Sequence, residues 1–296
     1  MAKSRKWGDL YELPEIVAIR EKILTEYSNR LTFIEESHQY FLGDEEYNCV
    51  SNIIEQWSSV DEEAMLDNCA RKAMDSRYPD YKYHGMTRDE IKALWDSISK
   101  EACDYGTLCH AFGESCFYWY AGEDEKILPE CKHKFGPNGP IPETPEEEAI
   151  LKFWDDLPDC FIGIIPEVRL INFKGNTKYA GTTDILFYYY DKDHPENSGV
   201  VIFDWKTNKD LYKNFKEEKM LWPFNYLLEM PYSHYILQLN LYQLCLENIG
   251  IKVLGRRLIW VRPDGTYEKI KLPDIVDKFR EIFDINKKNI LTYEEG

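Results

Sequence analysis

The chain lacks any apolar run approaching about 18 residues, so no membrane span is expected. Its first ten residues, MAKSRKWGDL, carry positive charge with no apolar stretch behind it, which argues against a secretory signal. Cysteines occur at 49, 69, 103, 109, 116, 131, 160 and 245 without a CxxC pair. Even the nearest three, 103, 109 and 116, are too widely spaced for a zinc knuckle. Reduced, mostly buried thiols in a cytoplasmic protein are the expectation. Positive charge is scarce: 36 basic against 53 acidic residues leave a net charge of -17. Such a surface repels nucleic acid at long range and argues against a protein that coats a phosphate backbone. A local basic cleft, or a site whose phosphates are screened by metal, remains compatible. There is no internal repeat, no low-complexity segment and no G-x-x-x-x-G-K-S/T phosphate loop, so no nucleotide cofactor is expected.

What the chain does have is a stretch of strand-forming runs between Pro166 and Thr207: PEVRLINF, YAGTTDILFYYY and GVVIFDWKT. Each carries one acid, Glu167, Asp184 and Asp204, with Lys206 two residues beyond the last. Strand side chains alternate, so Asp204 and Lys206 project together while Trp205 points the other way. Two carboxylates and a lysine on adjoining strands suit a divalent cation and an attacked phosphate. The same pattern also fits three surface-ended strands of a mixed sheet. Asp184 and Asp204 stand among apolar neighbours, where an unpaired charge is costly unless a metal or lysine relieves it.

Around this stretch, residues 10–30 read as a helix, 31–50 as short strands turning at Glu36–Ser37 and Gly43–Asp44, and Ser51 as the cap of a following helix. Residues 61–77 are predicted helical. Thr87 with Glu90 forms a capping box opening a helix to about Lys100, its apolar face Ile91, Leu94, Trp95 and Ile98. A separate helix is predicted from Gly106 to Tyr120, then a polar excursion over 121–145. Thr144 and Pro145 start another helix, ended by Pro158. A helix from Pro231 to about Asn248, a hairpin about Pro263–Asp264–Gly265 and a last helix over 273–285 complete an α/β (α+β) reading. Residues 1–100 form an N-terminal helical and β-hairpin region packed on a core of residues 101–296, in one compact unit.

Taken in order, GTxxH at Gly106–His110, GTTD ending at Asp184, DWKT at Asp204–Thr207 and QxxxY at Gln238–Tyr242 resemble the PD-(D/E)XK nuclease superfamily, in its RecB-like, phage-type exonuclease branch. The resemblance covers about residues 100–262 and extends toward residue 31. It implies a restriction-endonuclease-like core, a central mixed sheet flanked by helices, with the N-terminal pieces as additions.

The resemblance also implies roles. Asp184, Asp204, His110 and the Trp205 carbonyl would hold Mg²⁺ or Mn²⁺, with Glu167 binding a second ion or a water beside the first. Lys206 would face the attacking water or the scissile phosphate, and Gln238 and Tyr242 the lysine or the DNA backbone. Glu114 either orders His110 or a strand residue or lies on a solvated face. Thr207 occupies a position that often holds Ser or Thr, and His234 extends the Gln238–Tyr242 row. From Lys206 to Lys219 five lysines meet three acids, and Lys209, Lys213, Lys216 and Lys219 read as a DNA-contacting wall or as a solvated loop. Some members use one upstream cysteine and a C-terminal trio for an iron–sulfur cluster. Only Cys245 follows residue 160, so none is expected here.

The expected activity is therefore a metal-dependent deoxyribonuclease, an exonuclease on linear single- or double-stranded DNA. The implied setting is phage or prophage recombination or repair in a bacterial host cytoplasm, with a recombination or helicase partner. A catalytically inactive nucleic-acid- or protein-binding member, and an RNA-directed or structure-specific endonuclease, are the alternatives.

Overall fold

The computed structural model describes residues 4–285 except 35, 36, 38, 215 and 216. After a 3₁₀ turn at Asp9–Glu12, α1 (Pro14–Ile23) runs into a single π turn, Leu24–Ser28. Three short strands follow, β1 (Leu31–Ile34), β2 (Gln39–Leu42) and β3 (Glu45–Cys49), antiparallel to one another. The turn at Gly43 has φ 61°, a conformation open to glycine. The turn expected at Glu36–Ser37 falls partly outside the described residues.

Next come α2 (Val50–Glu55), α3 (Glu62–Ala73) and α4 (Arg88–Ala121). Cys49, not Ser51, is the cap position of α2, and the Ser51 hydroxyl lies 2.9 Å from the Cys49 thiol instead. Asp61 caps α3 through the Ala64 N–H, and the Thr87–Glu90 capping box opens α4 as the sequence indicates.

α4 is one helix of 34 residues, where the sequence suggested two. A lone glycine at 106 costs only about 1 kcal/mol and stops nothing without a cap or proline beside it. The i,i+4 pairs Lys92–Asp96 and Lys100–Asp104 carry the helix through its solvated stretch. Its expected apolar face is also half wrong. Ile91 is buried against Leu66, Ala73 and Tyr83 of the neighbouring arm, whereas Leu94 and Ile98 are exposed.

The two-residue strands β4 (Phe135–Gly136) and β5 (Gly139–Pro140) pair with each other within the polar excursion. Thr144 caps α5 (Pro145–Asp155) through the Glu147 N–H. Then come the long strands β6 (Phe161–Asn172), β7 (Tyr179–Tyr189) and β8 (Gly199–Lys206). They are followed by α6 (Pro231–Asn248), the hairpin β9 (Val253–Val261) and β10 (Tyr267–Lys271), and α7 (Val276–Ile282).

The architecture is mixed α/β: a central mixed sheet flanked by helices, ordered β1-β2-β3-β7-β8-β9-β10 with β6 also on β7. The N-terminal meander joins this sheet, because β3 pairs parallel to β7. On one edge β7 pairs with β6 throughout. On the other it pairs with β3 at Tyr179 and Ala180 and with β8 at 185–189, so the sheet forks around Asp184. α5 covers the sheet through Phe153 and Trp154, both fully buried against Phe187 and Trp205. α6 is apolar nearly all round because it lies between sheet and outer helices, and its Leu241 carbonyl accepts the Tyr179 hydroxyl. Among the described residues, no helix is long and apolar enough to cross a membrane.

Candidate active site

The site forms at the fork. The β7–β8 ladder ends at Ile185–Phe203, yet β8 continues through Asp204, Trp205 and Lys206 alongside β9. The strand edge left open is closed by side chains: the Trp205 N–H donates to Asp184 Oδ2 at 2.6 Å. N–H and C=O of one strand residue point the same way, so the Trp205 carbonyl faces the same gap. The Trp205 indole points away, toward α4, where Gly113 leaves room for it. A Cβ at Gly113 would come within 2.9 Å of the indole nitrogen. Gly113→Ala is therefore expected to push α4 off β8 and cost about 1–3 kcal/mol, read as a lower denaturation midpoint.

That close approach places His110, three residues before Gly113, at the fork. Its Nδ1 lies 3.4 Å from Asp184 Oδ1. Glu167 arrives from β6, between Pro166 (paired with Ile185) and Val168 (paired with Thr183), hence across from Asp184. Its φ of 45° is uncommon for a non-glycine residue, and such conformations concentrate at functional sites. Ligand atoms of His110, Glu167 and Asp184 all lie within 4.8 Å of one another. Asp204 and Lys206 complete the set, with Lys206 Nζ 2.5 Å from Asp204 Oδ2 and over the Tyr235 ring at 4.5 Å.

The electrostatics follow from three acids in a dry place. Burial pushes Glu167 well above the usual carboxyl range, and Asp184 adds to it. Burial, then Asp184, push Asp204 up to about 6 against the pull of Lys206. Asp184 is also opposed by burial, but His110, Lys206 and the Trp205 N–H outweigh it and hold it below its ordinary value. For His110, burial works against the charged form, yet Asp184 and Glu167 prevail and lift it to about 9. Lys206 is likewise raised, Asp204 outweighing burial.

Asp204 Oδ2 is buried and accepts no hydrogen bond of good geometry, although the lysine is ion-paired with it. Three crowded carboxylates and one imidazole are a donor set that fits a divalent cation.

The remaining candidates divide. Gln238 Nε2 donates to the Tyr242 hydroxyl at 3.1 Å, and the Tyr242 ring lies against Gly181, where a Cβ would meet it at 2.8 Å. Tyr242 thus packs on β7 three residues before Asp184. Glu114 lies one turn beyond His110 and accepts from the Tyr118 hydroxyl at 3.1 Å, with burial raising its pKa. The Thr207 hydroxyl is 3.6 Å from where a Cβ on Gly106 would be, which links the GTxxH and DWKT motifs. His234, four residues before Gln238 on α6, hydrogen-bonds Glu229. Lys209, Lys213 and Lys219 are exposed, and Lys216 lies outside the described residues. Sequence reasoning missed Tyr235, Asn208 and Glu229. Tyr235 supports Lys206, Asn208 accepts the Tyr235 hydroxyl at 2.6 Å, and Glu229 holds His234. The signal for Tyr235 was its place beside His234 at the start of α6.

Compared with known proteins, the chain matches no family model and no curated protein. Among solved structures it is similar to a candidate exonuclease from Eubacterium rectale. The two are 17% identical over 79% of this chain and 85% of that one, with a TM-score of 0.38. A likeness at this level leaves function to be argued from the site itself.

Proposed function

We propose that this chain is a divalent-metal-dependent deoxyribonuclease. The observation that carries the reading is the convergence of His110, Glu167, Asp184, Asp204 and Lys206 at a break in the sheet. An arrangement serving stability alone would not crowd three acids around one imidazole and one lysine. His110, Glu167, Asp184, Asp204 and the Trp205 carbonyl would hold Mg²⁺ or Mn²⁺. A cation bound there supplies charge neutralisation at a phosphoryl oxygen and lowers the pKa of a water in its shell.

The protein's own groups do the rest. Lys206, ion-paired with Asp204 at 2.5 Å, would orient the attacking water or stabilise charge on the phosphate. Tyr235 beneath its ammonium keeps the lysine stem in place. The Trp205 N–H fixes the Asp184 carboxylate, and Tyr242 with Gln238 packs the strand that carries it. Exonuclease action, and a phage or prophage recombination or repair setting, follow the family resemblance.

Loss of a proton from His110 accompanies cation binding, because an imidazolium nitrogen cannot coordinate. Mn²⁺ affinity is therefore expected to rise with pH toward about pH 9, up to about tenfold per pH unit for each proton displaced, with Glu167 and Asp204 adding to His110. Calorimetry in buffers of different ionisation enthalpy checks this through protons released near pH 7. In the cation-free protein the sign is opposite. The His110 contribution to stability is complete below its ordinary value of 6.5 and is lost as pH rises through about 9.

If the exposed Lys209 and Lys213 contact phosphates, Lys209→Glu with Lys213→Glu flattens the salt dependence of single-strand binding. The expected change in the log–log slope is about 0.7 per contact removed. An unchanged slope would mark that segment as merely solvated.

A further inference from the structure

Past Lys206 the site continues into a cleft of about 660 Å³. It is lined by the first turns of α3 and α6 and by Asn208, Lys213, Glu218 and Glu229 from between β8 and α6. Tyr235 is the shared wall: it lies under the Lys206 ammonium and also lines the cleft, with Asn208 holding its hydroxyl. Among its apolar lining residues, Val60 and Met65 are each about half exposed (50% and 49%).

The charge inside is mainly acidic, Asp61, Glu218 and Glu229 against Lys213, which disfavours a bare phosphate. The polar groups are held in place. Glu229 is 7% exposed and accepts from the Ser59 N–H at 2.8 Å, from the Ser59 hydroxyl at 3.3 Å and from His234 Nε2. With Nε2 committed to a carboxylate, Nδ1 is the His234 nitrogen left for a ligand. Aliphatic side chains, one aromatic ring (Tyr235) and fixed polar edges, next to a lysine poised for a phosphate, match a nucleobase attached to that phosphate.

We infer that this cleft receives the unpaired base adjoining the scissile phosphodiester, so that a single strand is the form the enzyme engages. The base lies against Met65 and Val60, His234 Nδ1 and Asn208 meet its edge, and the phosphate stays at Lys206. This rests on the nuclease reading above.

The test uses the full chain with two variants: His234→Ala, and Ala64→Trp, which fills the cleft from an exposed position on α3. Fluorescence anisotropy with labelled (dT)8, with Ca²⁺ replacing the catalytic ion, reads binding without turnover. Steady-state cleavage of (dT)8, of a blunt duplex and of bis(4-nitrophenyl) phosphate, which has no base, reads chemistry. The expected result is about tenfold weaker (dT)8 binding and a tenfold higher KM in both variants, with kcat changed less than twofold. Wild-type affinity in both variants, a fall in kcat without a change in KM, or a wild-type preference for the blunt duplex would overturn the inference. If wild type cleaves neither DNA nor the chromogenic diester, the nuclease reading fails, and the anisotropy arm still decides the cleft.

Discussion

Lys206→Ala is expected to lower DNA cleavage by roughly 10²–10⁴-fold, the range for losing a proton-transfer or charge-stabilising group. It is also expected to destabilise the cation-free protein. Lys206 Nζ is 2.5 Å from Asp204 Oδ2, and Asp204 is only 1% exposed beside a second acid, Asp184. Removing one partner of a buried pair costs about 3–5 kcal/mol when the other stays charged. Asp204, already pushed up to about 6, offsets part of that by taking a proton. The two effects separate on adding Mn²⁺. The ion replaces the lost positive charge and restores much of the denaturation midpoint, whereas the rate stays low. Recovery of both would mean that Lys206 serves only as a counter-ion.

The second large effect comes from Glu167→Gln. Burial and Asp184 raise the Glu167 pKa well above 4.5. A carboxyl raised in the folded state contributes stability that is complete below its unfolded value and is lost as pH rises through the folded one. Glutamine has no such loss. The variant without cation is therefore expected to melt above wild type at pH 8, with the gap closing as pH falls toward about 4.5. Its Mn²⁺ affinity and cleavage rate should both fall, by tenfold or more, since one donor has gone. Denaturation midpoints across pH, with and without Mn²⁺, test both halves. Parallel curves for the two proteins would show that Glu167 is not under charge pressure.

Much of this was legible in the chain because the signals are local. Asp204-x-Lys206 on a strand, the Thr87–Glu90 box, the Thr144–Pro145 helix start and the Pro231–Asn248 helix are short-range patterns, and each appears in the structure. What escaped is long-range or depends on an absent stop. Nothing in EEYNC says that β3 will pair parallel with Tyr179 and Ala180, about 130 residues on, so the fork at Asp184 could not be foreseen. The continuous α4 was missed because reading one helix to about Lys100 and another from Gly106 left a gap in a stretch that holds no proline. Helical spacing put His234 in a row with Gln238 and Tyr242, and it gave no sign of Glu229, five residues earlier and buried, which hydrogen-bonds it. The cleft joins residues near 60 with residues near 230, a proximity that only the fold creates.

The central claim is that the acids and lysine at the fork hydrolyse DNA. End-labelled linear and circular DNA, single- and double-stranded, should be incubated with wild type, Asp204→Ala and Lys206→Ala in Mg²⁺, Mn²⁺ or EDTA, each protein checked for folding. The account expects wild type to degrade linear DNA only with a divalent cation, to spare circles, and both variants to be inactive. No cleavage under any cation by folded wild type, or equal cleavage by the variants, would contradict it.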